Sequence, residues 1–160
     1  MSDDDLGPRS PIAQALSWVL NTRAVVRAPI VLFRCGLGVV FGGRLMLLTH
    51  RGRRSGQRRY AVLEVVDRPS RDVVLVASGF GERSQWYRNL EAEPRCLVSV
   101  GTRSAVPAVA HLLPDDESAA ALERYAARYP RSWKELRRAI TETTGDPHSS
   151  VPLVRLDLRR

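Results

Sequence analysis

Residues 51 to 59 read "RGRRSGQRR", with five arginines (Arg51, Arg53, Arg54, Arg58 and Arg59) and two glycines in nine positions. Gly52 and Gly56 bracket Arg53, Arg54 and Ser55; glycine admits left-handed backbone and lets N–H groups converge on an anion. Guanidinium forks match phosphate and carboxylate oxygens, and a serine hydroxyl adds a further donor. Taken locally, the stretch suits an anion-binding loop and a solvated hairpin tip equally well.

Other chemistry finds little support. His50, His111 and His148 are isolated, and Cys35 and Cys96 have no CxxC or histidine partner at metal-ligand spacing. No metal site is expected, and two reduced, small apolar cysteines in a cytoplasmic protein are the simpler reading. No serine sits in G-x-S-x-G, and no glycine run fits the P-loop or dinucleotide patterns. An enzyme of this composition would rely on a bound cofactor for its reaction, with the protein supplying binding and orientation.

The charge distribution decides between the readings of the loop. The chain has 160 residues and a net charge of +8, and Lys134 is its only lysine, a skew that points to codon usage before binding. Yet residues 6 to 63 hold ten arginines and no acid, so the excess is local. That context favours an anionic partner. Nucleic acid is not expected, because aromatic residues make up only 6% and none lies among the 51–59 arginines.

The elements that must carry this loop follow from periodicity. Residues 1–10 read as a disordered tail, and residues 11–160 as a single domain. Ile12, Leu16, Val19 and Leu20 form one stripe of an amphipathic helix, and Pro29 begins a second helical piece that "CGLG" ends. These helices would cover one mouth of a barrel or sheet. A basic amphipathic N-terminus also suits peripheral contact with an anionic membrane at its inner face, and that reading stays open. The longest uncharged run in the apolar zone, Cys35 to Gly43, is too short to span a bilayer.

Strands are expected at 44–50, 60–66, 72–78, 96–101, 104–113 and 153–158, rich in β-branched residues and punctuated by Gly, Pro, Asp and Ser. The connections at 67–71 and 102–103 are too short for crossovers, so those pairs are expected to be antiparallel, which argues against a Rossmann sheet. Helices are expected at 82–94, at 115–130, and from Ser132, with Glu135 completing a capping box. The fold class is α+β: about six mainly antiparallel strands in a barrel, with peripheral helices.

"LLTHRGRRSGQRR", "VLVASGFGERSQWYRNLEAEP" and "VSVG" together resemble the deazaflavin-dependent nitroreductase family of actinobacterial flavin/deazaflavin oxidoreductases. The resemblance runs from about Gly36 to Leu113 and implies a split β-barrel related to FMN-binding oxidoreductases. It also implies a reduced 8-hydroxy-5-deazaflavin (coenzyme F420), whose phospholactyl and oligoglutamate tail is strongly anionic, with FMN as the runner-up cofactor. By that resemblance Arg54 and Arg59 hold the phosphate or tail, and Arg53, Ser55 and Gly56 complete the loop. Val62 and Leu63 lie against the ring, Ala77, Ser78 and Gly79 line the next strand end, and Trp86, Tyr87 and Asn89 form the helix motif facing the phosphate. A helix N-terminus suits an anion there.

The sequence departs from the prodrug-reducing members at Glu64, where they carry tyrosine, and in the segment from Tyr129 to Glu135. Coenzyme binding is therefore expected ahead of any particular substrate. The implied reaction is hydride transfer to an electron-poor acceptor such as a quinone or nitro compound, with Glu64 or Tyr129 as candidate proton donors. A non-enzymatic carrier of deazaflavin, or of FMN or haem, and an anionic-surface binding module are the alternatives.

Overall fold

In the computed structural model, which describes residues 27–35 and 37–159, the strands are β1 (Leu45–Arg51), β2 (Arg58–Ser70), β3 (Val73–Ala77), β4 (Arg95–Val100), β5 (Arg103–Leu112) and β6 (Leu153–Leu158). They close into a barrel in the order β1-β2-β3-β6-β5-β4, and every neighbouring pair is antiparallel. Alternation fills it. Met46 and Leu48, Leu63, Val74 and Val76, Cys96, Val98 and Val100, Ala108 and Ala110, and Val154, Leu156 and Leu158 form one interior cluster.

β3 is apolar on both faces because its outer face is covered too, whereas β6 is covered outside only at Leu153 and carries Arg155 and Asp157 beyond it. Leu75 and Leu153, with Val66 of β2, pack against Ala121, Leu122, Tyr125 and Ile140. Those residues come from α3 (Asp115–Arg128) and α4 (Pro130–Thr144). Between β3 and β4, a 3-10 turn at Gly81–Arg83 leads into α2 (Gln85–Ala92), whose Tyr87 and Leu90 join the interior cluster. On the β1 and β2 side lie α1 (Arg27–Arg34) and a 3-10 turn at Leu37–Phe41, where Phe33 stacks on Phe41 at 5.3 Å. Gly38 makes that approach feasible, since a Cβ there would stand 2.4 Å from the Phe33 ring.

Three expectations change. β2 runs on through Asp67 to Ser70, which had the composition of a loop; register shifts between Val65 and Asp67 and between Asp67 and Ser70 let Pro69 remain in the strand. α4 begins at Pro130, two residues before the expected cap, because proline at the first helical position is preorganised for it. Ser132 instead accepts a hydrogen bond from Arg44 Nη2 at 3.0 Å. The helix expected at 82–94 is shorter, with its first turn wound as 3-10. The tail at 1–10 and the helix expected from Ile12 to Leu20 lie outside the described residues. Among the described residues, no helix is long and apolar enough to cross a membrane.

Candidate functional site

The arginine loop joins β1 to β2 and is built from its backbone outward. Gly52 N–H bonds Gln57 O at 2.8 Å, and Gly56 N–H bonds Gly52 O at 2.7 Å. Gly56 has φ +67, and a Cβ there would meet nothing within 4 Å, so the loop is open on that side. Ser55 Oγ accepts the Gln57 N–H at 3.3 Å. Across the hairpin Arg51 faces Arg58, and His50 faces Arg59. Like charges directly opposite one another weaken a hairpin.

α2 holds this loop in place. Asn89 is 5% exposed; its Oδ1 accepts the Arg53 backbone N–H at 3.1 Å and Arg53 Nη1 at 3.0 Å. Arg53 Nη1 also donates to Gln85 Oε1 at 3.0 Å. Two donors on Oδ1 orient the amide, so Nδ2 donates to His50 Nδ1 at 3.2 Å and His50 carries its proton on Nε2. Burial of His50 and the nearby Arg59 push its pKa down, with a backbone contact at Arg51 opposing them. Arg54 and Arg59 are exposed and have no hydrogen-bond or ion-pair partner among the described residues.

The same helix also ties down the end of β3. Ser78 is 1% exposed; its Oγ donates to Gly81 O at 2.6 Å and lies 2.7 Å from the Ser84 hydroxyl at the start of α2. Ala77 packs on the outer cluster, and Gly79 comes close to Ile140 of α4. Trp86 is half-buried against the barrel interior and meets Tyr87 edge-on at 6.0 Å. Tyr87 is buried, and that burial raises its pKa, with Glu82, Glu91 and Asp115 adding to the effect.

A second cluster lies on the outer face of β2. Leu63 points into the barrel, whereas Val62 and Glu64 point outward. Glu64 Oε1 accepts the Tyr125 hydroxyl at 2.6 Å and stands 4.0 Å from Arg44 Nη2. Arg44 also lies over the Tyr129 ring at 5.6 Å. Burial raises the Glu64 pKa; the Tyr125 hydroxyl and Arg44 oppose that rise, and Glu135 adds to it. Tyr125 is raised by burial and by its bond to Glu64.

The residues expected at the site therefore fall into three sets. Arg54 and Gly56 on the loop, and Arg59 at the start of β2, are exposed. Arg53, Asn89, Ser78 and Tyr87 are engaged within the protein, and Leu63 can present only its backbone to the outer face. Glu64 and Tyr129 belong to the β2 cluster with Arg44, Tyr125 and Ser132. Those three, with Gln85 and His50, were assigned no site role from sequence. Tyr125 did lie four residues before Tyr129 in the helix expected at 115–130, the one signal that pointed to it. A cleft of about 520 Å³ opens on the β1–β4–β5 side of the loop, lined by His50, Arg51, Gly56 and Arg58 and edged further by Arg95 and Arg159.

Comparison with known proteins agrees with this architecture. Rv3178 of Mycobacterium tuberculosis, named as an F420H(2)-dependent quinone reductase, is 41% identical over 58 residues, which cover 36% of this chain and 49% of that protein. The chain thus spans about half the length of that curated relative. HutZ, a haem storage protein of Vibrio cholerae, shares the fold at TM-score 0.52 with 15% identity, covering 84% of this chain and 91% of HutZ. Atu2129 of Agrobacterium tumefaciens does so at TM-score 0.52 and 22% identity, covering 83% of this chain and 56% of its own. The model of the F420H(2)-dependent quinone reductase family matches residues 26–144, and the chain belongs to that family.

Proposed function

We propose that this protein binds reduced coenzyme F420 and reduces an electron-poor acceptor of the quinone class. The observation that carries the reading is the pair Arg54 and Arg59: two exposed guanidiniums without partners among the described residues, the first on a loop whose backbone is fixed from behind by Asn89 and the second just beyond it at the start of β2. Fixing the loop in advance lowers the ordering cost of binding an anion. Arg54, Arg59 and the open side of Gly56 suit a phosphate and the carboxylates beyond it. Val62 and Glu64 on the outer face of β2, with the turn at Ser78 and Gly79, would bound the flat ring. Once bound, the coenzyme supplies a hydride.

Arg53 would act on the coenzyme indirectly, by holding the loop against Gln85 and Asn89. Ser78 would act likewise, by joining β3 to α2 through Ser84. Tyr129 and Trp133, at the corner between α3 and α4, would shield the acceptor from water. Family membership favours quinones over nitro compounds, and within this reading nitro reduction is the secondary activity.

Titration with oxidised F420, followed by fluorescence quenching with FMN in parallel, tests the assignment. F420 is expected to bind more tightly than FMN. Arg54→Ala and Arg59→Ala should each weaken it by roughly 10- to 100-fold, as loss of a charge-assisted contact does, and reduce its salt dependence. Tighter FMN binding, or affinity unchanged in both variants, would remove the reading. Turnover of a quinone panel by the reduced coenzyme separates an enzyme from a carrier.

A further inference from the structure

We propose that Glu64 is the proton donor to the acceptor, its carboxyl held by Tyr125 and steadied by Arg44. The inference rests on the coenzyme and acceptor reading above and assigns it a catalytic acid.

Glu64 stands two residues after Val62 on the same outward face of β2, beside the floor assigned to the ring. One carboxyl oxygen is anchored: Oε1 takes the Tyr125 hydroxyl at 2.6 Å, with Arg44 at 4.0 Å. The other is open. Among the described residues every fully buried side-chain nitrogen or oxygen has a hydrogen-bond partner; Oε2 has none, so it is not fully buried, and the Glu64 side chain is 20% exposed. A carboxyl with one fixed and one accessible oxygen can keep its proton at a defined atom facing a ligand.

The groups around it make Glu64 the acid of this cluster. From α3, Tyr125 directs its hydroxyl at Oε1 and so away from any acceptor. From the turn before β1, Arg44 brings its guanidinium to 4.0 Å from Oε1, where it pairs with the anchored oxygen. From α4, Glu135 contributes a negative charge that helps Glu64 stay protonated. Tyr129 is 40% exposed, with Arg44 and Arg128 over its ring and, among the described residues, no hydrogen bond holding its hydroxyl. Burial of Glu64 acts in the same direction as Glu135.

Reduction of a quinone to a hydroquinone consumes two electrons and two protons. The hydride carries both electrons and one hydrogen, so one proton must come from elsewhere. The O–H bond at Glu64 Oε2 breaks, a new O–H bond forms on the acceptor oxygen, and the carboxylate recovers a proton from water.

The test pairs kinetics with a readout that needs no coenzyme. Activity requires protonated Glu64, so kcat should fall as pH rises through its pKa. Glu64→Gln should lower kcat by about 100-fold or more and abolish that limb. Tyr125→Phe removes a hydrogen bond that favours the carboxylate, so the limb should move to higher pH. Infrared titration of the coenzyme-free protein should show a protonated carboxyl band that is missing in Glu64→Gln and titrates at higher pH in Tyr125→Phe. Wild-type-like kcat and pH profile in Glu64→Gln, or no band lost, would overturn the assignment while leaving the coenzyme reading standing. If Glu64→Gln does not fold, an unmoved limb and band in Tyr125→Phe overturn it instead. Failure of the wild type to reduce any quinone removes the underlying reading, and this inference with it.

Discussion

Replacing Asn89 by alanine asks whether the arginine loop is held by α2 or only rests against it. The substitution removes three hydrogen bonds: two from Arg53 to Oδ1, and one from Nδ2 to His50. Arg53 is exposed, so water can replace its lost acceptor; each of its bonds forfeits at most about 1 kcal/mol, and Nη1 keeps Gln85. His50 is 5% exposed and has no such recourse, so its stranded Nδ1 costs about 1–3 kcal/mol. The expected loss is about 3 kcal/mol. With a urea slope of about 2 kcal/mol/M, the midpoint should fall by roughly 1.5 M. F420 affinity should fall as well, because the loop would have to be ordered at the moment of binding. Arg54→Ala is the control: it should weaken binding while leaving stability within about 0.5 kcal/mol. A stability loss below about 1 kcal/mol for Asn89→Ala, with affinity intact, would refute the clamp.

Two further outcomes follow from buried titratable groups. The pKa of His50 lies below its ordinary 6.5 in the folded protein, so on acidification the unfolded chain takes up its proton first. Stability is therefore retained above about pH 6.5 and lost as pH falls through the folded pKa; His50→Gln should flatten that loss, and parallel curves for the two proteins between pH 8 and 5 would count against it. Cys35 is exposed, while burial pushes the Cys96 thiol up to about 12. A disulfide reagent should titrate one thiol in the native protein and the second only in denaturant; immediate reaction of both would contradict the buried position.

The barrel was legible because its strands alternate cleanly or run apolar between turn residues, as Met46, Leu48, Val74 and Val76 illustrate. The rest of β2 was not: Asp67, Arg68, Pro69 and Ser70 have turn composition, and only pairing with β3 through register shifts keeps them in a strand. The capping box at Ser132 obeyed a local rule that Pro130 and the distant Arg44 override. At the site, the five arginines announced an anion, but their types could not say which would fold back. That depends on Asn89, 36 residues further on. The bond between Glu64 and Tyr125 spans 61 residues and joins a strand to a helix, so no local spacing could reveal it.

Closure of the barrel also sets the order in which the chain becomes safe from its neighbours. β3 and β5 are each hydrogen-bonded on one side by a hairpin partner close in sequence, and on the other side by β6. Until Leu153–Leu158 docks, both present a bare line of backbone donors and acceptors, and Val74 and Val76 beside them are apolar. Such edges are templates for pairing with another chain. A nascent or truncated protein lacking β6 would carry two of them, so loss of this one strand should be read out as aggregation before it is read out as lost activity.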